Sequence, residues 1–238
     1  MITLGVDFAA QPKNTALCQM HWQHDRAEVD LLERNVSDQR ILSLSETAHK
    51  VGLDVPFGWP LAFVKSISAH GEGAPWPENS SRELCYRQTD RFIHSVTGHW
   101  PLSVSTDRIG ITAFRAASIL SRLGRAGDVV DRTGKGKFVE IYPAAAARVW
   151  TLGPCSKKDS VTLAKALWER CKQWLHVPDD LRTLCEENRH ALDALIAALV
   201  VRASALKLCE PISAAGAQAA EAEGWIALPL PGSLDMLA

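Results

Sequence analysis

Apolar residues in the first quarter of the chain gather into short runs separated by polar breaks. Ile2 to Phe8 is a β-branched and apolar run, the profile of a buried strand. Ala9 to Asn14, with Pro12 inside it, interrupts that run and reads as a turn. Thr15 to Trp22 is a second strand, Gln23-His24-Asp25 a polar tip, and Ala27 to Arg34 a third strand in which Val29 and Leu31 alternate with Glu28, Asp30 and Glu33. Short connections between three strands predict an antiparallel meander. Ser37 and Asp38 can cap a helix running to about His49. Lys50 to Asp54 returns as a fourth strand, so the chain changes from meander to crossover.

The middle of the chain is less regular. Gly71 to Pro77 is a loop, Ser80 and Ser81 can open a short helix, and Gly98 to Pro101 is a further break. Residues 70–110 are expected to form an insertion or lid on one domain spanning 1–238. Ile111 to Leu123 predicts a helix ending at Gly124, and Gly127 to Gly136 is polar and glycine-containing. Lys137 to Tyr142 is a fifth strand, closed by Pro143. Helices are expected over Ala144–Trp150, Ser160–Leu175 and Glu186–Leu208, and the tail from Gly224 to Pro229 can add a short edge strand. The prediction is an α/β fold with a mixed five-stranded sheet, three antiparallel strands followed by parallel ones, flanked by helices.

Bulk properties narrow the function classes. Hydrophobic residues make up 47% of 238, enough for a substantial core, and the net charge of -1 gives no global attraction to polyanions. Six cysteines are scattered without a C-x-x-C pair, which argues against a disulfide framework or a zinc ribbon. The first ten residues do not read as a signal peptide. The longest apolar run, Ala194 to Val201, falls far short of the roughly 18 residues of a membrane span. A soluble, cytoplasmic protein is expected.

Four acids stand where charge is expensive. Asp7 lies inside the first apolar strand and Asp54 ends the fourth, before Pro56, Gly58 and Pro60. Glu140 lies inside the fifth strand, and Asp193 near the start of a helix apolar on almost every side. An isolated buried carboxylate costs several kcal/mol or shifts its pKa until it is neutral. A divalent cation would compensate all four at once, because hard cations take carboxylate oxygens. Each acid also has a local explanation: a turn at Asp7 or Asp54, pairing of Glu140 with Lys135 or Lys137, a helix-dipole contact at Asp193.

The segments GVDFA, GLDVPFGWP, Arg87-Gln88-Thr89-Asp90, VEIYPAAAARVW and HALDALIAALVVRA resemble the family called domain of unknown function 429, described as predicted nucleases of RNase H fold. The resemblance spans nearly the whole chain. It implies an RNase H-like core in which Asp7, Asp54 and Asp193 bind Mg²⁺ or Mn²⁺, with Glu140 as a fourth catalytic candidate. It also implies phosphodiester hydrolysis of DNA or RNA, of the two-metal-ion type.

Such a reaction needs cations for phosphate. Arg87 in the irregular segment, and Arg132, Lys135 and Lys137 before the fifth strand, are the candidates for substrate binding, although charged clusters of this kind also serve as solvated faces. RTGKGK, Arg132 to Lys137, is not a P-loop, and no G-x-S-x-G elbow occurs. Two further readings stay open: a hydrolase or phosphotransferase binding nucleotides or small phosphates, and a non-catalytic binding module. A basic groove beside the acids would favour the nuclease, a closed pocket the phosphotransferase, and acids paired to arginines the non-catalytic module.

Overall fold

The computed structural model describes residues 1–78, 80–125, 130–153 and 160–238, the Arg125 side chain excepted. Gly127 and Cys155 lie outside the described residues. The strands are β1 (Ile2–Asp7), β2 (Ala16–Gln23), β3 (Arg26–Arg34), β4 (Lys50–Leu53), β5 (Phe138–Glu140) and β6 (Leu175–His176). The helices are α1 (Asp38–Thr47), α2 (Leu61–Gly71), α3 (Ser81–Cys85), α4 (Gln88–Thr97), α5 (Gly110–Arg125), α6 (Pro143–Val149), α7 (Ser160–Cys171), α8 (Asp179–Glu187), α9 (Arg189–Ala205) and α10 (Ala217–Glu223).

One mixed sheet runs in the order β5-β4-β1-β2-β3-β6. β1, β2 and β3 form the expected meander, and β4 and β5 join parallel to β1. The sheet has six strands rather than the expected five. The helix expected to reach Leu175 stops at Cys171, and β6 then pairs parallel with β3 through Ala27↔Leu175 and Glu28↔His176. A two-residue strand carries no readable period; tertiary packing makes it, with Leu175 buried and Trp174 stacked on Trp22 at 5.8 Å. The long helix expected from Glu186 is also divided. Asn188 is extended, and its side chain accepts a hydrogen bond from the Ala191 backbone N–H to open α9. At the tail, Ile226 makes an isolated parallel bridge to Glu140 and Pro229 an antiparallel one to Cys209.

Helices cover both faces of the sheet. On one side, β4, β1 and β5 bury Leu4, Val6, Val51, Leu53 and Phe138 against Ile41 of α1 and Ile119 and Leu123 of α5. On the other lies α9, buried at Ala191, Leu192 and every position from Ala194 to Val201. Gly5 sets how near α9 comes: a methyl there would sit 2.2 Å from the Ala198 nitrogen and 2.3 Å from the Ala194 carbonyl oxygen. Among the described residues, no helix is long and apolar enough to cross a membrane. The five described cysteines are free thiols.

Candidate functional site

Strand pairing brings the acids together. Val6 is in register with Leu53, so Asp7 and Asp54, each one residue further on, leave adjacent parallel strands side by side. Period-two alternation puts Asp7 on the face of Gly5, toward α9. The close contact of α9 at Gly5 delivers its first turns, with Arg189, His190 and Asp193, to the same end of the sheet. These residues line a cavity of about 390 Å³ with Asp7, Asp54, Glu140 and Arg87. Phe8, Val55, Leu102, Ile109 and Ile226 give it apolar walls.

Each acid has different surroundings. Asp7 Oδ2 lies 2.6 Å from His190 Nδ1. Asp193 receives both hydrogen bonds from one donor, Arg189 Nε, at 2.8 and 2.9 Å. Burial pushes the Asp193 carboxyl up to about 6, against the pull of Arg189 and with Asp7 adding to the rise. The Asp54 carboxylate has no hydrogen-bond partner among the described residues; only its backbone N–H is engaged, by Val6 O at 2.9 Å. Burial first, then the charges of Asp7, Asp193 and Glu140, hold Asp54 well above the usual carboxylate range.

Glu140 faces the other way. It is in register with Leu53, and so shares the face of Val6 and Leu53 rather than that of Asp7. Arg87 meets it there with two bonds, Nη1 to Oε2 at 2.9 Å and Nη2 to Oε1 at 2.7 Å. The same guanidinium holds Asp90 through Nε and Nη2 at 3.1 and 2.8 Å, and the Phe57 N–H donates to Glu140 Oε2 at 2.9 Å. Arg87 is only 2% exposed. Burial works against its charge, but Glu140 and Asp90 hold the guanidinium above its ordinary value. Burial raises Glu140, and Arg87 opposes the rise. Arg87, expected to contact substrate, is thus occupied in tying the irregular segment to β5.

The other expected phosphate contacts lie elsewhere. Arg132 Nη1 donates to Ala222 O at 2.7 Å, Lys137 Nζ to Glu46 O at 3.4 Å, and Lys135 lines a different cavity. None of the three lines the acidic cavity. His190 stood out in the sequence as a residue one helical turn from Asp193, but the pairings of Asp193 and Asp7 went unread. Arg189 stands four residues before Asp193, a spacing at which oppositely charged helix side chains meet. The His190–Asp7 contact bridges 183 positions and has no local signal.

Among the described residues, no group of three or more His, Cys, Asp or Glu side chains is gathered to hold a metal ion. Arg189 occupies Asp193, and Arg87 occupies Glu140. The donor chemistry at Asp7 and Asp54 nonetheless fits a hard divalent cation. Two carboxylates lie at neighbouring strand ends, one of them without a partner, among acids that repel one another. Asp193, bonded to Arg189, would join such a set only on giving up that partner.

The family described as "Protein of unknown function (DUF429)" matches residues 5–215, and the chain belongs to it. No curated protein and no solved structure matches the chain.

Proposed function

We propose that this member of the DUF429 family is a divalent-cation-dependent phosphodiesterase of RNase H-like architecture, a nuclease that takes a nucleic-acid end into the acidic cavity. The observation that carries the reading is Asp54: a carboxylate at a strand end, without a hydrogen-bond partner among the described residues, crowded by Asp7 and Asp193. The strand order β3-β2-β1-β4-β5, three antiparallel strands followed by two parallel to the first, is the arrangement expected of an RNase H-like core.

Asp7 and Asp54 hold the cation, Mg²⁺ or Mn²⁺, and Asp193 joins them. A bound divalent cation supplies a lowered water pKa for attack on phosphorus and positive charge for the leaving oxygen. His190 orients the Asp7 carboxylate through Nδ1. Arg189 balances Asp193 until substrate arrives, and is then placed to turn its guanidinium to a phosphate oxygen. The apolar walls exclude water and fit a base or sugar.

One observation favours a second reading, hydrolysis of a small phosphorylated molecule. The cavity is about 390 Å³, and both of its arginines are already bonded to acids. Such a site suits one or two phosphates better than a long polyanion. Calorimetric titration of Mn²⁺ into the wild type, Asp7→Asn and Asp54→Asn tests the site. Saturable binding is expected in the wild type and in neither variant. Equal heats in all three proteins would sink the assignment. Hydrolysis of short single strands, duplexes and phosphomonoesters by the wild type with Mn²⁺ then separates the two readings.

A further inference from the structure

A second cavity lies away from the acids. It measures about 610 Å³ and is walled by the start of β4 at Lys50, the loop at Thr133–Lys135, the last turn of α9 with Lys207 and Cys209 beyond it, and Trp225. β4 and α9 each run from one cavity to the other: Asp54 follows one end of β4 and Lys50 begins the other, while Asp193 and Ser204 stand near opposite ends of α9. Asp193 and Ser204 are 11 residues apart on α9, which at about 1.5 Å each sets the two cavities roughly 16 Å apart along the helix.

Several buried donors in the walls are short of partners. Lys50 is 9% exposed, and its ammonium donates to Gly134 O at 3.1 Å and Gly136 O at 2.8 Å. An ammonium has three donors, and no carboxylate among the described residues forms an ion pair with this one. Burial pulls the Lys50 ammonium below its ordinary value, with Cys209 and Asp131 opposing the fall. Two further wall residues carry buried polar atoms with no partner: the Trp225 indole Nε1 and the Thr133 hydroxyl. Trp225 is 5% exposed, and its ring is fixed on Phe92 at 5.5 Å. Lys135 and Lys207, both exposed, add positive charge at the rim.

We propose that this cavity is a second ligand site, for a small organic anion whose phosphate or carboxylate sits against Lys50 and Lys135, with its body along Trp225. A volume of about 610 Å³ falls within the roughly 300–1,000 Å³ usual for small-molecule sites. The carbonyl end of α9, with Glu210 and Glu221, repels negative charge and so fixes the orientation: anionic group toward Lys50, neutral or cationic part toward the glutamates. The site uses none of the acids of the proposed hydrolase, so it stands or falls separately.

The test follows indole N–H resonances of ¹⁵N-labelled protein during titration with inorganic phosphate, uridine monophosphate and benzoate. Of the eight tryptophans, the Trp225 signal, assigned by its loss in Trp225→Phe, is expected to move with at least one probe. Saturation by uridine monophosphate or benzoate but not by phosphate shows that the organic body contributes. Phosphate and uridine monophosphate without benzoate would define a phosphate site. The exposed pair Lys135→Ala with Lys207→Ala, which leaves the core untouched, is expected to weaken binding about tenfold, and Lys50→Met to abolish it. Asp54→Asn is expected to bind as the wild type does. The proposal is overturned if no probe moves the Trp225 signal at millimolar concentration, or if the shifts persist unchanged in the lysine variants.

Discussion

Asp54 shows at the scale of one residue how a site opposes the stability of its own fold. Its carboxyl is held beside Asp7 and Asp193 with no hydrogen bond among the described residues to offset their repulsion. Replacing it with Asn removes repulsion and keeps the shape. Asp54→Asn is therefore expected to melt about 2–4 °C higher than the wild type at pH 7 in chelator, for a gain of about 1 kcal/mol. Mn²⁺ should raise the melting temperature of the wild type alone. A lower melting temperature for the variant would mean that Asp54 has a structural partner. Asp193 gives a prediction in pH. Its folded value of about 6 lies above the unfolded reference of about 3.9, so the folded state binds the extra proton between them. That contribution to stability is present at low pH and is lost as pH rises through about 6. Asp193→Asn, which stays neutral, should gain on the wild type between those values when both are melted in chelator. A constant difference across that window would contradict the raised value.

At the scale of the element, the acids were legible because strands and helices betray charges out of period: Asp7, Asp54 and Asp193 each interrupt an apolar run. Their orientation was not. Glu140 interrupts its strand just as Asp7 does, yet the register of β5 on β4 turns it to the opposite face, and register is set by pairing rather than by composition. The three-strand meander, the crossover and the acidic strand ends were readable. β6 was not, since two residues have no period, and the Asn188 break between α8 and α9 was hidden in one long apolar pattern. Gly5 is the element-level determinant of the site. Gly5→Ala would force α9 away from β1, at about 1–3 kcal/mol or more, and would carry Asp193 with it. The expected outcome is a lower melting temperature together with loss of Mn²⁺ affinity. Unchanged affinity would show that Asp193 is dispensable to the metal.

At the scale of the whole molecule, Arg87 binds a segment that reads as an insertion to the β5 edge of the sheet. It joins Asp90 in its own segment to Glu140 on β5, and its Nη1 reaches Glu223 O at 3.2 Å near the C-terminus. Arg87→Ala would leave two buried carboxylates without their cation, at about 3–5 kcal/mol. Arg87→Lys should recover little of that, because an ammonium cannot make the two paired forks. Chemical denaturation of both variants checks this; stability near wild type for either would show that the pair is relieved by solvent. The sequence displayed Arg87-Gln88-Thr89-Asp90 as a motif, but its partner stands 53 positions away, and only the folded chain reveals that the arginine is paired with Glu140.

The outer margins of the sheet bear on how the molecule behaves in a crowd of its own copies. Beyond β3, β6 covers only Ala27 and Glu28, and the open remainder of that margin carries Asp30, Glu33 and Arg34. Beyond β5, the tail offers a lone bridge at Ile226. A neighbouring chain seeking to extend the sheet would meet short stubs and charge instead of a long bare ladder, and cross-strand templating, the first step toward fibrous aggregation, is blunted at both sides.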